Sequence, residues 1–154
     1  MLKRVGYGVA SGAVGTTALN LTTYLDMAWR GRGASELPAQ AAVILGRKLG
    51  LQVPDEGDET AQNRKSAAGS LLGFATGLGM GAVYGSVRSA NSHLATVAAG
   101  TIVGLGAMAA TDLPLAALGL TDPRDWDARS WASDLVPHLV YGLCTALAFE
   151  ALTA

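Results

Sequence analysis

Asp134 and His138 stand four residues apart, and Tyr141 follows three residues later. On a helix, positions i, i+4 and i+7 share one face. A carboxyl, an imidazole and a phenol in such a row can relay a proton or hold a cation. Asn20, Asp26 and Asp112 are further polar residues set in apolar surroundings. Other chemistries find little support. Asp134 and His138 supply two metal ligands where a zinc site needs at least three, so no metal is expected. Cys144 is the lone cysteine, two turns from His138 among apolar residues, and no nucleophile–base set forms around it. No phosphate-loop or dinucleotide pattern occurs among the glycines, and no cofactor is expected.

What gives these few groups weight is the solvent in which they sit. Four runs, about 5–29, 66–87, 94–119 and 131–154, contain only the charges Asp26, Asp112, Asp134 and Glu150. Helices of that length extend about 33–39 Å, enough to cross a hydrocarbon layer roughly 30 Å thick. Half of the chain is hydrophobic and 15% is charged, against roughly 25% in a soluble domain. A chain of 154 residues cannot bury four such helices on every side in water. The expected fold is therefore all-α: a polytopic membrane protein, a single transmembrane domain forming a four-helix bundle. Lys3 and Arg4 imitate the start of a signal peptide, but the apolar run continues to Trp29, too far for one. The formal net charge of −1 leaves no basic face for nucleic acid.

The 30–65 loop carries its own helix signal over about 36–49. Ser35 is a candidate N-cap, Pro38 suits the first turn, and Gly50 is a stop. Leu37, Ala41, Ile44, Leu45 and Leu49 recur at helical spacing, predicting an apolar face that lies on the membrane or across the bundle mouth. The acidic stretch from Pro54 to Glu59 reads as a solvated turn. Arg30, Arg32, Arg47, Lys48, Arg64, Lys65, Arg124 and Arg129 all fall in loops 30–65 and 120–130, which places those loops in the cytoplasm. Trp29, Trp126 and Trp131 border the same side.

Counted from that side, Asp26 and Asp134 lie about 5 Å deep, Asp112 and His138 about 10 Å, and Asn20 about 13 Å. Asn20, Asp26, Asp112, Asp134, His138 and Tyr141 thus form one polar layer from three helices. Ionisable groups at such depth are default site candidates. The same layer also reads as interhelical hydrogen bonding that locks the bundle. Glu150 lies near the opposite surface and is expected to be solvated.

Gly69, Gly73, Gly77, Gly81 and Gly85 recur at strict four-residue intervals. Such a stripe admits close helix approach. It packs against helices of this chain or builds a homo-oligomer. Gly8, Gly12, Gly100 and Gly104 repeat the pattern more weakly, and Gly15-Thr-Thr-Ala-Leu19 aligns loosely with Gly104-Leu-Gly-Ala-Met108, as an internal duplication would give.

Three blocks carry a resemblance: Gly12-Ala-Val-Gly15-Thr-Thr-Ala-Leu-Asn20, Leu120-Thr-Asp-Pro-Arg-Asp-Trp126, and Asp134-Leu-Val-Pro-His138-Leu-Val-Tyr-Gly142. They resemble motifs of small, uncharacterised four-span membrane proteins of actinobacteria, over most of the chain. The last block also resembles the C-terminal part of YagU-like inner-membrane proteins. The resemblance implies a helical protein of the bacterial inner membrane, with Asn20, Asp134 and His138 inside motif positions; it implies no reaction. Two classes of function lead: a small transporter, channel or proton-coupled factor, and an accessory subunit that joins a larger membrane complex through the glycine stripe. An intramembrane enzyme is the least supported.

Overall fold

The computed structural model describes residues 2–51, 59–88 and 95–154. The chain is all-helical: α1 (Leu2–Arg30), α2 (Leu37–Lys48), α3 (Glu59–Val87), α4 (Thr96–Ala117) and α5 (Ala128–Thr153), with a 3-10 turn at Pro123–Asp125. Residues Pro54 to Asp58 of the acidic stretch, and His93, lie outside the described residues.

Three helices, α3, α4 and α5, are long and apolar enough to cross a membrane. Their outward residues are large and apolar, including Leu71, Ile102, Leu113 and Leu147. Water solvates such a surface poorly; lipid tails do not. α1 has the same length as α3 and lies centrally, against both α3 and α5. Ser11 and Thr16 are buried on the face that meets them, each hydroxyl donating to the carbonyl four residues back at 2.7 Å. That back-bonding satisfies the hydroxyl without a partner helix.

The long helices run antiparallel to their main partners, and glycines let their backbones approach closely. A Cβ on Gly12 would stand 2.7 Å from the Gly77 carbonyl and 3.0 Å from Gly81 Cα, and one on Gly8 would meet Gly81 and Gly85. α4 and α5 repeat the device: a Cβ on Gly104 would stand 2.5 Å from the His138 carbonyl, and Gly100 is pressed against Leu143. Dispersion between close backbones drives such packing where no hydrophobic effect acts between helices.

Three expectations need correction. In the glycine stripe, Gly77, Gly81 and Gly85 face α1, but Gly69 meets Ala39 of α2 (2.6 Å to its N) and a Cβ at Gly73 would touch nothing. The helix that reads as one stripe therefore serves two neighbours and leaves a gap between them. In α2 the buried residues are Ala41, Ala42, Val43 and Gly46, while Leu45 is exposed and Leu49 is 76% exposed. The close approach at Gly69 selects the small face of α2 and turns its leucines outward. Ser35 is not the N-cap; Glu36 occupies that position, and Ser35 Oγ accepts only a 3.3 Å bond from the Leu37 amide. Gly50 does end α2, at φ +74°, with the Leu51 amide donating to the Gly46 carbonyl at 2.8 Å.

Candidate functional site: a cavity between the helices

The gap left by the small residues of α3 belongs to a cavity of about 580 Å³. Three helices contribute to its wall at one spacing, i, i+3, i+4, i+7, i+8, i+11, which is a single helical face. On α1 these are Thr16, Leu19, Asn20, Thr23, Tyr24 and Met27; on α3, Ser66, Gly69, Ser70, Gly73, Phe74 and Gly77. On α5 they are Ser130, Ser133, Asp134, Pro137, His138 and Tyr141. α4 adds Ala107, Thr111, Asp112 and Leu115, and Leu37, Pro38 and Ala39 of α2 form the roof. Arg32, Ser35, Thr121 and Trp126 set the mouth among the loops.

The α5 row of the lining ends at Tyr141. Tyr141 is buried, and its hydroxyl donates to the Gly77 carbonyl at 2.6 Å. Below it, Tyr84 and Phe149 meet edge to face, with centroids 5.1 Å apart, inside a core shared with Ala99, Val103 and Ala146. Glu150 corrects the expectation of a merely solvated acid. It accepts from Arg88 at 3.0 Å and from Thr96 at 2.6 Å, tying the ends of α3, α4 and α5 together. Arg4 adds a bond to the Arg88 carbonyl and lies over the Phe149 ring.

Five of the six residues of the expected polar layer, Asn20, Asp112, Asp134, His138 and Tyr141, line this cavity. Asp26 is not among its lining residues. Its carboxylate takes Arg30 at 2.5 Å and Arg32 at 2.7 Å, beside the mouth. Arg30 also bonds Ser133, so the same arginine ties α1 to α5.

His138 is 9% exposed. Its Nδ1 lies 2.8 Å from the Asp134 carbonyl, an acceptor only, so Nδ1 donates. The Asp134 carboxylate stands 3.4 Å from the same nitrogen. Nε2 has no hydrogen-bond partner among the described residues. Asp112 of α4 and Asp134 of α5 both line the cavity, and the Thr111 hydroxyl donates to Asp112 Oδ1 at 3.5 Å. Among the described residues no N–H or hydroxyl donor reaches the buried Oδ2 of Asp134, and neither acid pairs with Lys or Arg. The described residues place no group of three or more His, Cys, Asp or Glu side chains to hold a metal ion.

Outside the membrane-crossing helices, electrostatics are local. Arg124 donates to Asp122 at 2.6 Å and holds that carboxyl down at about 2. Asp127 caps α5 by accepting from the Ser130 amide at 2.7 Å, and that bond lowers its pKa below the usual value. Trp126 donates to Thr121 at 2.7 Å and packs edge to face on Trp131, stiffening the rim.

Sequence reasoning missed the α3 wall, the α2 roof and Arg32. The wall had a signal, because Ser66, Ser70, Phe74 and their glycines follow the spacing seen in α1 and α5. The roof had none, since it depends on how a loop helix folds back.

No family model, curated protein or solved structure matches this chain.

Proposed function

We propose that this protein is a small four-span membrane transporter, proton-coupled, whose substrate chamber is the cavity between α1, α3, α4 and α5. The carrying observation is the chamber itself: about 580 Å³ of mostly apolar space has Asn20, Asp112, Asp134 and His138 on its wall and Tyr141, bonded to the Gly77 carbonyl, at the end of its α5 row. A structural network would have no need of a void that size. Ligand chambers commonly measure about 300–1,000 Å³. In this reading α1 is the fourth span, packed between α3 and α5. The cationic loops place the mouth in the cytoplasm of a bacterial inner membrane, in keeping with the four-span resemblance. Passage to the other side requires the Tyr141–Gly77 bond and the Tyr84–Phe149 contact to part. The Gly8 and Gly12 face of α1, which meets α3 backbone to backbone, is where such a shift meets least resistance.

The accessory-subunit reading loses its surface, because four of the five stripe glycines are already covered by this chain's own α1 and α2.

Proteoliposomes loaded with a pH-sensitive dye test the proposal. Solute addition should change internal pH, and His138→Ala or Asp112→Asn should reduce that change at least about tenfold, the scale of about 1.4 kcal/mol. Unchanged flux in both variants retires the reading.

A further inference from the structure

We infer that the cavity seats a membrane-borne amphiphile, one apolar chain with a hydrogen-bond-donating head, which enters sideways from the bilayer between α1 and α3; its carriage across the membrane rests on the transporter reading above.

The two helices touch along only part of their length. Toward the chain termini the backbones meet at Gly8, Gly12, Gly81 and Gly85, and Thr16 packs on Gly77. One turn toward the mouth, a Cβ at Gly73 would meet nothing within 4 Å among the described residues. Phe74 and Tyr24 lie three and eight residues from the Thr16–Gly77 contact, about 4.5 and 12 Å toward the mouth. Both line the cavity, yet Phe74 is 43% exposed and Tyr24 is 60% exposed. A side chain that does both stands at the edge of an opening. That opening is separate from the mouth among the loops. Ala39 of α2 roofs α3 at Gly69, and Phe74 lies five residues deeper, about 7.5 Å. The opening is therefore in the side of the bundle. Phe74 is also nine residues beyond Lys65, about 13.5 Å along a helix able to cross a membrane, so the side opening faces lipid tails rather than water.

Size and chemistry select the occupant. A helix is 10–12 Å across, so two turns of one occupy roughly 850–1,200 Å³. The cavity measures about 580 Å³, too little for a helix of a second copy and ample for one flexible chain. Its wall is mostly apolar, with Leu19, Phe74, Leu115 and Pro137 along the space. The hydroxyls on that wall select the head. Those of Thr16, Ser70 and Thr76 donate to the carbonyls four residues back, at 2.7, 3.0 and 2.9 Å. Each oxygen can still accept, but its proton is already spent. A head that donates, an alcohol above all, matches them.

Irradiation of the full chain in phosphatidylcholine vesicles with hexadecanol carrying a mid-chain diazirine tests the inference. Mass spectrometry should find the label on the wall residues Leu115 and Pro137, and unlabelled hexadecanol should remove it. Hexadecyl methyl ether keeps the oxygen and loses the donor, so it should compete about three- to tenfold less well, the worth of one hydrogen bond. Gly73→Leu should abolish the wall label and leave the thermal midpoint in place, because its side chain enters open space. Label confined to the outward Leu71, Ile102 and Leu147 would be ordinary lipid contact and overturns the inference. So does wall label indifferent to the competitor or to Gly73→Leu, equal competition by the ether, or a disulfide-linked dimer through Gly73→Cys in a Cys144→Ala background. Dye-loaded proteoliposomes separate the two claims. Wall label without any solute-driven change of internal pH upholds the seat and removes the transporter; a pH change driven by a water-soluble solute, with no wall label, does the reverse.

Discussion

The Tyr141 hydroxyl and the Gly77 carbonyl join α5 to α3 at 2.6 Å, and this single bond forms the boundary between the cavity and the close-packed half of the molecule. Above it, α3 presents serines and glycines to open space; below it, glycines press α1 and α3 together. Tyr141→Phe keeps the ring and removes the bond. Interhelical hydrogen bonds are worth about 0.6–2 kcal/mol, so the thermal midpoint in detergent should drop modestly. Passive proton leak through proteoliposomes should rise, because the floor loses its tie. A stable variant with no added leak would mean that Tyr84 and Phe149 alone close the path.

The glycine stripe predicts a contrast within one helix. A Cβ at Gly81 would stand 2.6 Å from Gly12 Cα and would also meet the Gly8 carbonyl, backbone atoms that cannot rotate away. Gly81→Ala should destabilise by about 1–3 kcal/mol or more. Gly73 has the same spacing but open space before it, so Gly73→Ala should be neutral or stabilising by up to about 1 kcal/mol through helix propensity. Thermal unfolding of both variants in one detergent checks the pair; equal losses would contradict the division of the stripe.

The start of α5 should respond to acid. Hydrogen bonds from Ser130 hold the Asp127 pKa below its ordinary value of about 3.9. Its contribution is therefore complete above that value and disappears as pH falls through the lowered one. Amide exchange at Ser130 and Trp131, corrected for intrinsic rates, should lose protection between pH 5 and the low-pH limit of about 2. Asp127→Asn keeps a capping oxygen and should show no such dependence.

Sidedness can be read with thiols, since Cys144 is the chain's one cysteine and can be replaced by alanine. In that background Ser70→Cys, on the cavity wall, should react with a membrane-impermeant reagent applied from the mouth side only. Val103→Cys, in the core below the floor, should react from neither side. Labelling of Ser70→Cys from the terminal side would reverse the assigned orientation.

Much of this molecule was legible before folding. Hydropathy and length place α3, α4 and α5, because a helix in lipid must be apolar along its whole circumference, and that leaves a continuous record in the chain. The Asp134, His138 and Tyr141 row was equally legible, since spacing along one helix is a property of the sequence alone. Asn20 and Asp112 were found by depth, which counting residues supplies.

Other features were decided only when helices met. Asp26 looked like Asp134 in sequence, yet Arg30 at the end of α1 and Arg32 just beyond it claim it, while Asp134 lines the cavity with no Lys or Arg partner among the described residues. Gly73 and Gly81 are chemically identical, and only their neighbours make one a wall of empty space and the other a backbone contact. α2 buries its small face because Gly69 admits it closely. The sequence by itself determined which segments are helices and which of their faces are small or polar, because those depend on residues a few positions apart. The tertiary structure alone decided which faces touch and which enclose a cavity, because a void is defined by the side chains absent from several helices at once.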